Sequence, residues 1–160
     1  KKLDYECELA VVLGRDARDV PAGQTRDYIF GYTILNDVSA RDVQTAHKQW
    51  YFGKSLDGFT PIGPCIVTAD AFADYPPRLG IRSFVNGEKR QDSNTALQIF
   101  DIDHVVAELS QGMTLKAGTI IATGTPAGVG MGFDPPRFLQ SGDTVECAIE
   151  GIGTLCSTVI

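Results

Sequence analysis

Two glutamates one residue apart, Glu6 and Glu8, open the first apolar run of the chain, residues 5–14 (YECELAVVLG). The run reads as a β-strand. Side chains alternate between the faces of a strand, so both carboxylates point the same way. Ala10 and Val12 continue their face, while Tyr5, Cys7, Leu9 and Val11 line the other. Both faces turn apolar beyond Glu8, which implies a strand buried on both sides. Carboxylates at the start of such a strand repel each other and lose hydration. A bound cation is the simplest way to offset both costs. A solvated strand end with two ordinary glutamates is the alternative. A third carboxylate, Asp37, follows the second apolar run directly. There it is placed to face a pocket, or else it is a turn or helix-cap aspartate.

Several elements must hold these side chains. Residues 28–35 (YIFGYTIL) are expected to form the second strand, rich in β-branched and aromatic residues. Residues 39–49 resemble a short helix with Ser39 as N-cap. Residues 60–68 form a strand that Pro61 and Pro64 confine to an edge. Residues 79–85 and 88–90 flank Asn86-Gly87, a strong hairpin signal because both residues tolerate positive φ. Residues 102–109 show helical spacing of Val105, Val106 and Leu109. Residues 119–123, 143–150 and 153–160 complete a β-rich single domain, a sandwich or roll.

The chain has 160 residues, 43 % of them hydrophobic, enough for one core without metal or disulfide staples. A net charge of −6 disfavours nucleic acid or an anionic membrane as partner. It leaves room for a small anionic ligand, because a metal reverses the sign of a pocket locally. Cys7, Cys65, Cys147 and Cys156 form no CxxC pair and read as reduced, buried thiols, which favours a reducing compartment. No apolar run reaches membrane-spanning length. The chain enters its first strand almost at Lys1, with no methionine, so an N-terminal segment and any leader are expected to lie upstream.

The motifs ECE, NDVSARDVQ, GKSLDG, TPIGP, VNGEKRQ, SNT, TGTPAGVG and IEGIGTL occur in this order between Glu6 and Leu155. Together, at these spacings, the chain resembles the fumarylacetoacetate hydrolase family over nearly its whole length. The resemblance implies a mainly β fold with short helices, a mixed β-sandwich roll, with residues 1–160 as the catalytic domain. It implies a homodimer, a small oxo-acid substrate, and Mg²⁺ or Mn²⁺, with Ca²⁺ as a further option. Carried over motif by motif, the metal ligands fall on Glu6, Glu8 and Asp37. The active-site lysine falls on Lys54. Substrate-binding positions fall on Arg41, Gln44 and Thr125.

The residue chemistry agrees with this ligand set. Three oxygen ligands without His or Cys suit Mg²⁺ or Mn²⁺ better than Zn²⁺ and leave roughly half an octahedral shell open. An oxo acid can chelate there, and the metal stabilises its enolate. Arg41 and Gln44 share a helix face and are expected beside the metal, Arg41 gripping a substrate carboxylate. Two exposed helix residues are the alternative. Lys54 is expected to stabilise developing negative charge, against the usual fate of a solvated loop lysine. The run Gly128-Val129-Gly130-Met131-Gly132 lacks both the GxGxxG spacing and a following GK[ST], so a nucleotide loop is rejected. Ser93-Asn94-Thr95 matches a family loop near the site, but Ala96-Leu97-Gln98 depart from the commoner residues there and bear on substrate preference. His47 and His104 read as surface or structural residues.

Family hydrolases place a His–Glu base upstream of the ECE strand, outside these residues. The leading expectation is C–C cleavage beside a 2-oxo acid, as by an acylpyruvate hydrolase or oxaloacetate decarboxylase. The second is an isomerase, hydratase or tautomerase acting on an unsaturated oxo-diacid or on enol-oxaloacetate. The third is a catalytically dead binding module. Cytoplasm and mitochondria are both compatible compartments.

Overall fold

The computed structural model of the chain describes residues 2–46 and 48–160. β1 (Leu3–Asp4) leads through Tyr5 and Glu6 into β2 (Cys7–Leu13), and β3 (Ile29–Asn36) pairs antiparallel with β2. β4 (Ser39–Ala40) folds back on β1 and runs directly into α1 (Arg41–Ala46), which is followed by α2 (Tyr51–Lys54). β5 (Ile62–Thr68) is the edge strand beside β3, as its prolines require. β6 (Gly80–Val85) and β7 (Glu88–Asn94) form the expected hairpin, with Asn86 at φ 51° and Gly87 at φ 78°. α3 (Ile102–Ser110), β8 (Ile120–Ala122), β9 (Thr144–Ile149) and β10 (Gly153–Thr158) complete the chain.

The strands make two larger sheets, in the orders β5-β3-β2-β8 and β10-β9-β6-β7. Each pairing between the named strands is antiparallel. Cys7, Leu9, Val11 and Leu13 share one core with Ile81, Val85, Val145, Cys147 and Ile149 of the second sheet. Burying each large aliphatic side chain contributes about 1.5–3 kcal/mol. Every residue of β2 is buried, on both faces, as its apolar continuation implies. The fold is mainly β with short helices. Among the described residues, no helix is long and apolar enough to cross a membrane.

Some local expectations are corrected. Ser39 does not cap a helix. It belongs to β4, the helix begins at Arg41, and the Ser39 hydroxyl is drawn to Glu6 instead. α1 ends at Ala46 rather than reaching Gln49, and His47 lies outside the described residues. β7 continues to Asn94, although its run EKRQDSN carries no apolar pattern. The four cysteines are free, but only Cys7 and Cys147 are buried. Cys65 and Cys156 lie on the edge strands β5 and β10, whose outer faces are open. Lys54 sits in the last turn of α2, not in a loop.

α2 approaches α1 so closely that a Cβ on Gly53 would stand 2.8 Å from the Gln44 amide nitrogen and 2.9 Å from its Cα. That contact fixes where Lys54 projects. Helix propensity alone favours alanine over glycine by about 1 kcal/mol. Gly53→Ala is nonetheless expected to lose about 1–3 kcal/mol of stability by urea denaturation, because the clash is with backbone. An unchanged midpoint would show that α2 can slide without cost.

Candidate metal centre

The start of β2 and the end of β3 are bound to each other at the cluster itself. The Asp37 amide donates to the Glu6 carbonyl at 2.9 Å, and the Glu6 amide donates to Asn36 Oδ1 at 2.9 Å. These bonds carry Glu6, Glu8 and Asp37 to one place. One oxygen from each lies within 4.8 Å of the others. Ligands on opposite sides of a Mg²⁺, Mn²⁺ or Ca²⁺ ion stand roughly 4–5 Å apart, given the usual oxygen distances. The spacing therefore suits one ion.

Each carboxylate has its own support. Glu6 Oε1 accepts from Ser39 Oγ at 3.1 Å and pairs with Arg41 Nη1 at 2.5 Å, while Glu6 Oε2 accepts from Lys54 Nζ at 3.0 Å. Lys54 Nζ also donates to Asp37 Oδ2 at 2.5 Å. Glu8 Oε2 accepts from the Gly124 amide at 2.7 Å. Glu8 is nearly fully buried, and burial is the largest influence on its carboxyl. Burial, with the negative charges of Asp37 and Glu6, raises its pKa to about 7, against the lowering effect of the Gly124 N–H and the Lys54 charge.

A fourth carboxylate stands behind these three. Asp4 is wholly buried and accepts from Arg41 Nε at 2.9 Å, from the Gly130 and Met131 amides at 2.6 and 3.0 Å, and from the Tyr5 amide at 3.0 Å. A Cβ on Gly130 would lie 2.7 Å from Asp4 Oδ1, so glycine is needed for this approach. Four carboxylates thus face two cationic side chains, Arg41 and Lys54. With Glu8 ionised, two negative charges are left over among the described residues, the charge of one divalent ion. The donor set is oxygen only. The residues present fit a hard divalent metal.

Arg41 and Gln44 are buried beside the cluster rather than exposed. Their partners differ from the expected ones. Arg41 grips Asp4 and Glu6, and its Nη1 also donates to Gln44 Oε1 at 3.1 Å. It positions Glu6, a candidate ligand. The Thr125 hydroxyl donates to the Cys7 carbonyl at 2.9 Å and accepts from Gln91 Nε2 at 2.8 Å, so it anchors its loop. Gln91, in β7, is fully buried. Its Oε1 accepts from the Cys7 amide and Ser83 Oγ, and its Nε2 also reaches the Pro126 carbonyl. One amide therefore joins both sheets and the loop that presents Gly124 to Glu8. A cavity of about 430 Å³ begins at that loop, lined by residues 123–127 and by side chains around residues 93–100. His104, an exposed residue, stacks at 4.7 Å between ring centroids on Phe100, which lines the cavity.

The family model described as fumarylacetoacetate (FAA) hydrolase C-terminal matches residues 1–160. The chain belongs to the fumarylacetoacetate hydrolase family. It is 49 % identical over 158 residues to the oxaloacetate tautomerase YisK of Bacillus subtilis, covering 99 % of this chain and 52 % of that protein. It superimposes with a TM-score of 0.96 on the fumarylacetoacetate hydrolase of Exiguobacterium antarcticum, at 51 % identity over 99 % of this chain and 57 % of that one. A 2-hydroxyhepta-2,4-diene-1,7-dioate isomerase from Mycobacterium marinum gives 0.90 at 47 % identity, over 100 % of this chain and 59 % of that one. The chain spans about half the length of the curated relatives it matches.

Within this fumarylacetoacetate hydrolase domain, Asp4, Ser39 and Gln91 are the site residues that sequence reasoning passed over. Asp4 alternates in register with Glu6 and Glu8, a signal that was available. Gln91 lies in the quoted motif VNGEKRQ but carries no chemical signature of its own.

Two outcomes follow from the charges. An acid whose pKa is higher in the folded chain contributes stability that is complete below the unfolded pKa and is lost as pH rises through the folded one. For Glu8 that window runs from 4.5 to about 7. Metal-free Glu8→Gln is therefore expected to melt roughly 5 °C above wild type at pH 8 and at the same temperature near pH 4. Equal melting at both pH values would mean that Glu8 is not desolvated. Asp4→Ala takes one of two carboxylate partners from the buried Arg41 and the acceptor from the Gly130, Met131 and Tyr5 amides, and is expected to cost about 3–5 kcal/mol by chemical denaturation. A cost under about 1 kcal/mol would remove Asp4 from the network.

Proposed function

We propose that the chain is the metal-binding catalytic domain of an enzyme that acts on 2-oxo acids by moving a proton between carbon and the keto oxygen, in a tautomerase or isomerase reaction. The observation that carries this reading is the convergence of Glu6, Glu8 and Asp37 around a two-charge deficit, with the Lys54 ammonium at its edge. A bound divalent ion supplies Lewis-acid polarisation of the keto group and offsets the charge of the enolate. The protein does the rest. Arg41 and Ser39 hold Glu6 in one orientation, and the Gly124 amide holds Glu8. An ammonium has three N–H donors. Glu6 and Asp37 take two of those on Lys54, and the third is available to a substrate oxygen as charge develops on it. The relatives named oxaloacetate tautomerase and dioate isomerase support proton transfer as the reaction.

C–C hydrolysis is the second reading, favoured by the 51 % identity to a structure named fumarylacetoacetate hydrolase. Product analysis separates the two, since cleavage releases two fragments and isomerisation one isomer.

Full-length protein stripped with EDTA is expected to lose turnover of oxo acids and recover it with Mg²⁺ or Mn²⁺. Glu8→Ala should fail to bind Mn²⁺ in calorimetry. Lys54→Ala should bind Mn²⁺ but lose roughly 10²–10³-fold in kcat. Metal-independent turnover, or normal Mn²⁺ binding by Glu8→Ala, would overturn the assignment.

A further inference from the structure

The cavity beside Glu8 differs in chemistry from the cluster it adjoins. Four carboxylates and two cations crowd the metal side. Among the described residues no charged side chain lines the cavity. Its walls are apolar at Leu9, Ile81, Leu97, Phe100 and Val105, and polar but uncharged at Ser93, Asn94, Thr95, Gln98, Thr123 and Thr125. Its volume of about 430 Å³ falls in the range of small-molecule sites. The nearby N-terminus of α3 is capped by Asp101, whose Oδ1 accepts from the His104 amide at 2.8 Å.

The segment that carries Leu97 and Gln98 lines one side of this cavity. The structure shows how that segment is held. Gln98 Nε2 donates to Thr123 Oγ1 at 2.8 Å, and Thr123 Oγ1 donates to the Leu9 carbonyl at 2.7 Å. Gln98 thus ties that segment to the loop that supports Glu8. Leu97 and Phe100 remain 75 % and 60 % exposed, so large apolar side chains are offered at the mouth of an uncharged cavity.

We infer that this cavity takes the tail of the substrate, that the tail is an uncharged, largely apolar group, and that Leu97 sets the preference against a second carboxylate. The inference rests on the oxo-acid reading above. A tail carboxylate here would exchange water for a lining of apolar and neutral polar side chains, with no cation to pair with among the described lining residues. An acyl chain would bury apolar area, and the neutral amide of Gln98 can serve a carbonyl or hydroxyl oxygen on it. Oxaloacetate and a 1,7-dioate, named for the relatives, are both dicarboxylates. The inference separates this chain from them in specificity while keeping the same metal chemistry.

Two compounds that differ only at the tail end test it: crotonylpyruvate, ending in a methyl group, and fumarylpyruvate, ending in a carboxylate. Full-length protein loaded with Mg²⁺ is assayed for binding by calorimetry and for turnover by loss of enol absorbance. Crotonylpyruvate is expected to be preferred by at least about tenfold in kcat/KM. Leu97→Lys, at an exposed position, should shift the ratio about tenfold toward fumarylpyruvate, chiefly through KM. Leu97→Met should leave it unchanged. Equal or better use of fumarylpyruvate by the wild type, or a ratio unmoved in Leu97→Lys, overturns the tail assignment and leaves the oxo-acid reading standing. Failure of both compounds to bind overturns the two together.

Discussion

Four carboxylates gathered around two cations, at the mouth of a buried strand, are the constraint on which the rest of the structure depends. Asp4, Glu6 and Glu8 alternate along one stretch of chain, and Asp37 meets them from the neighbouring strand. Like charges at this separation, out of water, cannot hold together unaided. Arg41 is placed to bridge Asp4 and Glu6, and Lys54 to bridge Glu6 and Asp37. The chain Asp4–Arg41–Glu6–Lys54–Asp37 alternates in sign along its length. Glu8 stands outside that alternation with a backbone amide as its donor, and its carboxyl is the one pushed to about 7. Conflict is concentrated on a single residue, where a bound divalent ion would resolve it.

Much of the fold serves this arrangement. β4 exists to turn the chain from Asp37 back across β1, which brings Arg41 into reach of Asp4. α2 packs on α1 through Gly53, which brings in Lys54. On the other flank Gln91 links the second sheet to the amide of Cys7, midway between the two glutamates, and to the loop that donates to Glu8. The two sheets therefore meet at the ligands as well as in the apolar core. A displacement between them would be felt at Glu8 first.

The strands were legible because the continuous apolar runs of β2 and β3 are rich in β-branched and aromatic residues, as strands buried on both faces require, and the Asn86-Gly87 hairpin because its turn demands positive φ. The three ligands were legible only in part from chemistry. Two glutamates on one strand were open to an ordinary reading, and the family motifs decided. β7 was cut short because burial of Gln91 is satisfied by hydrogen bonds, not by apolar contacts, and leaves no hydrophobic trace in the sequence. Lys54 was read as a loop residue because a helix of four residues has too little periodicity to announce itself. The family resemblance places Arg41 beside substrate, while its pairing with Asp4 and Glu6 is visible only in the folded chain, because these partners are distant in sequence.

The same reasoning explains why charge stops so abruptly at the loop of residues 123–127. Among the described residues Arg41 and Lys54 are both paired within the network and two negative charges remain, so an extra cation there would compete with a divalent ion for the carboxylates. An extra cation in the cavity that begins at the Gly124 loop would act in the same direction on Glu8. A cavity lined without charge leaves the deficit intact, and the proposed selectivity against a charged tail is consistent with it. Specificity and metal affinity are in this sense one electrostatic property, set by where the chain places its cations and where it withholds them.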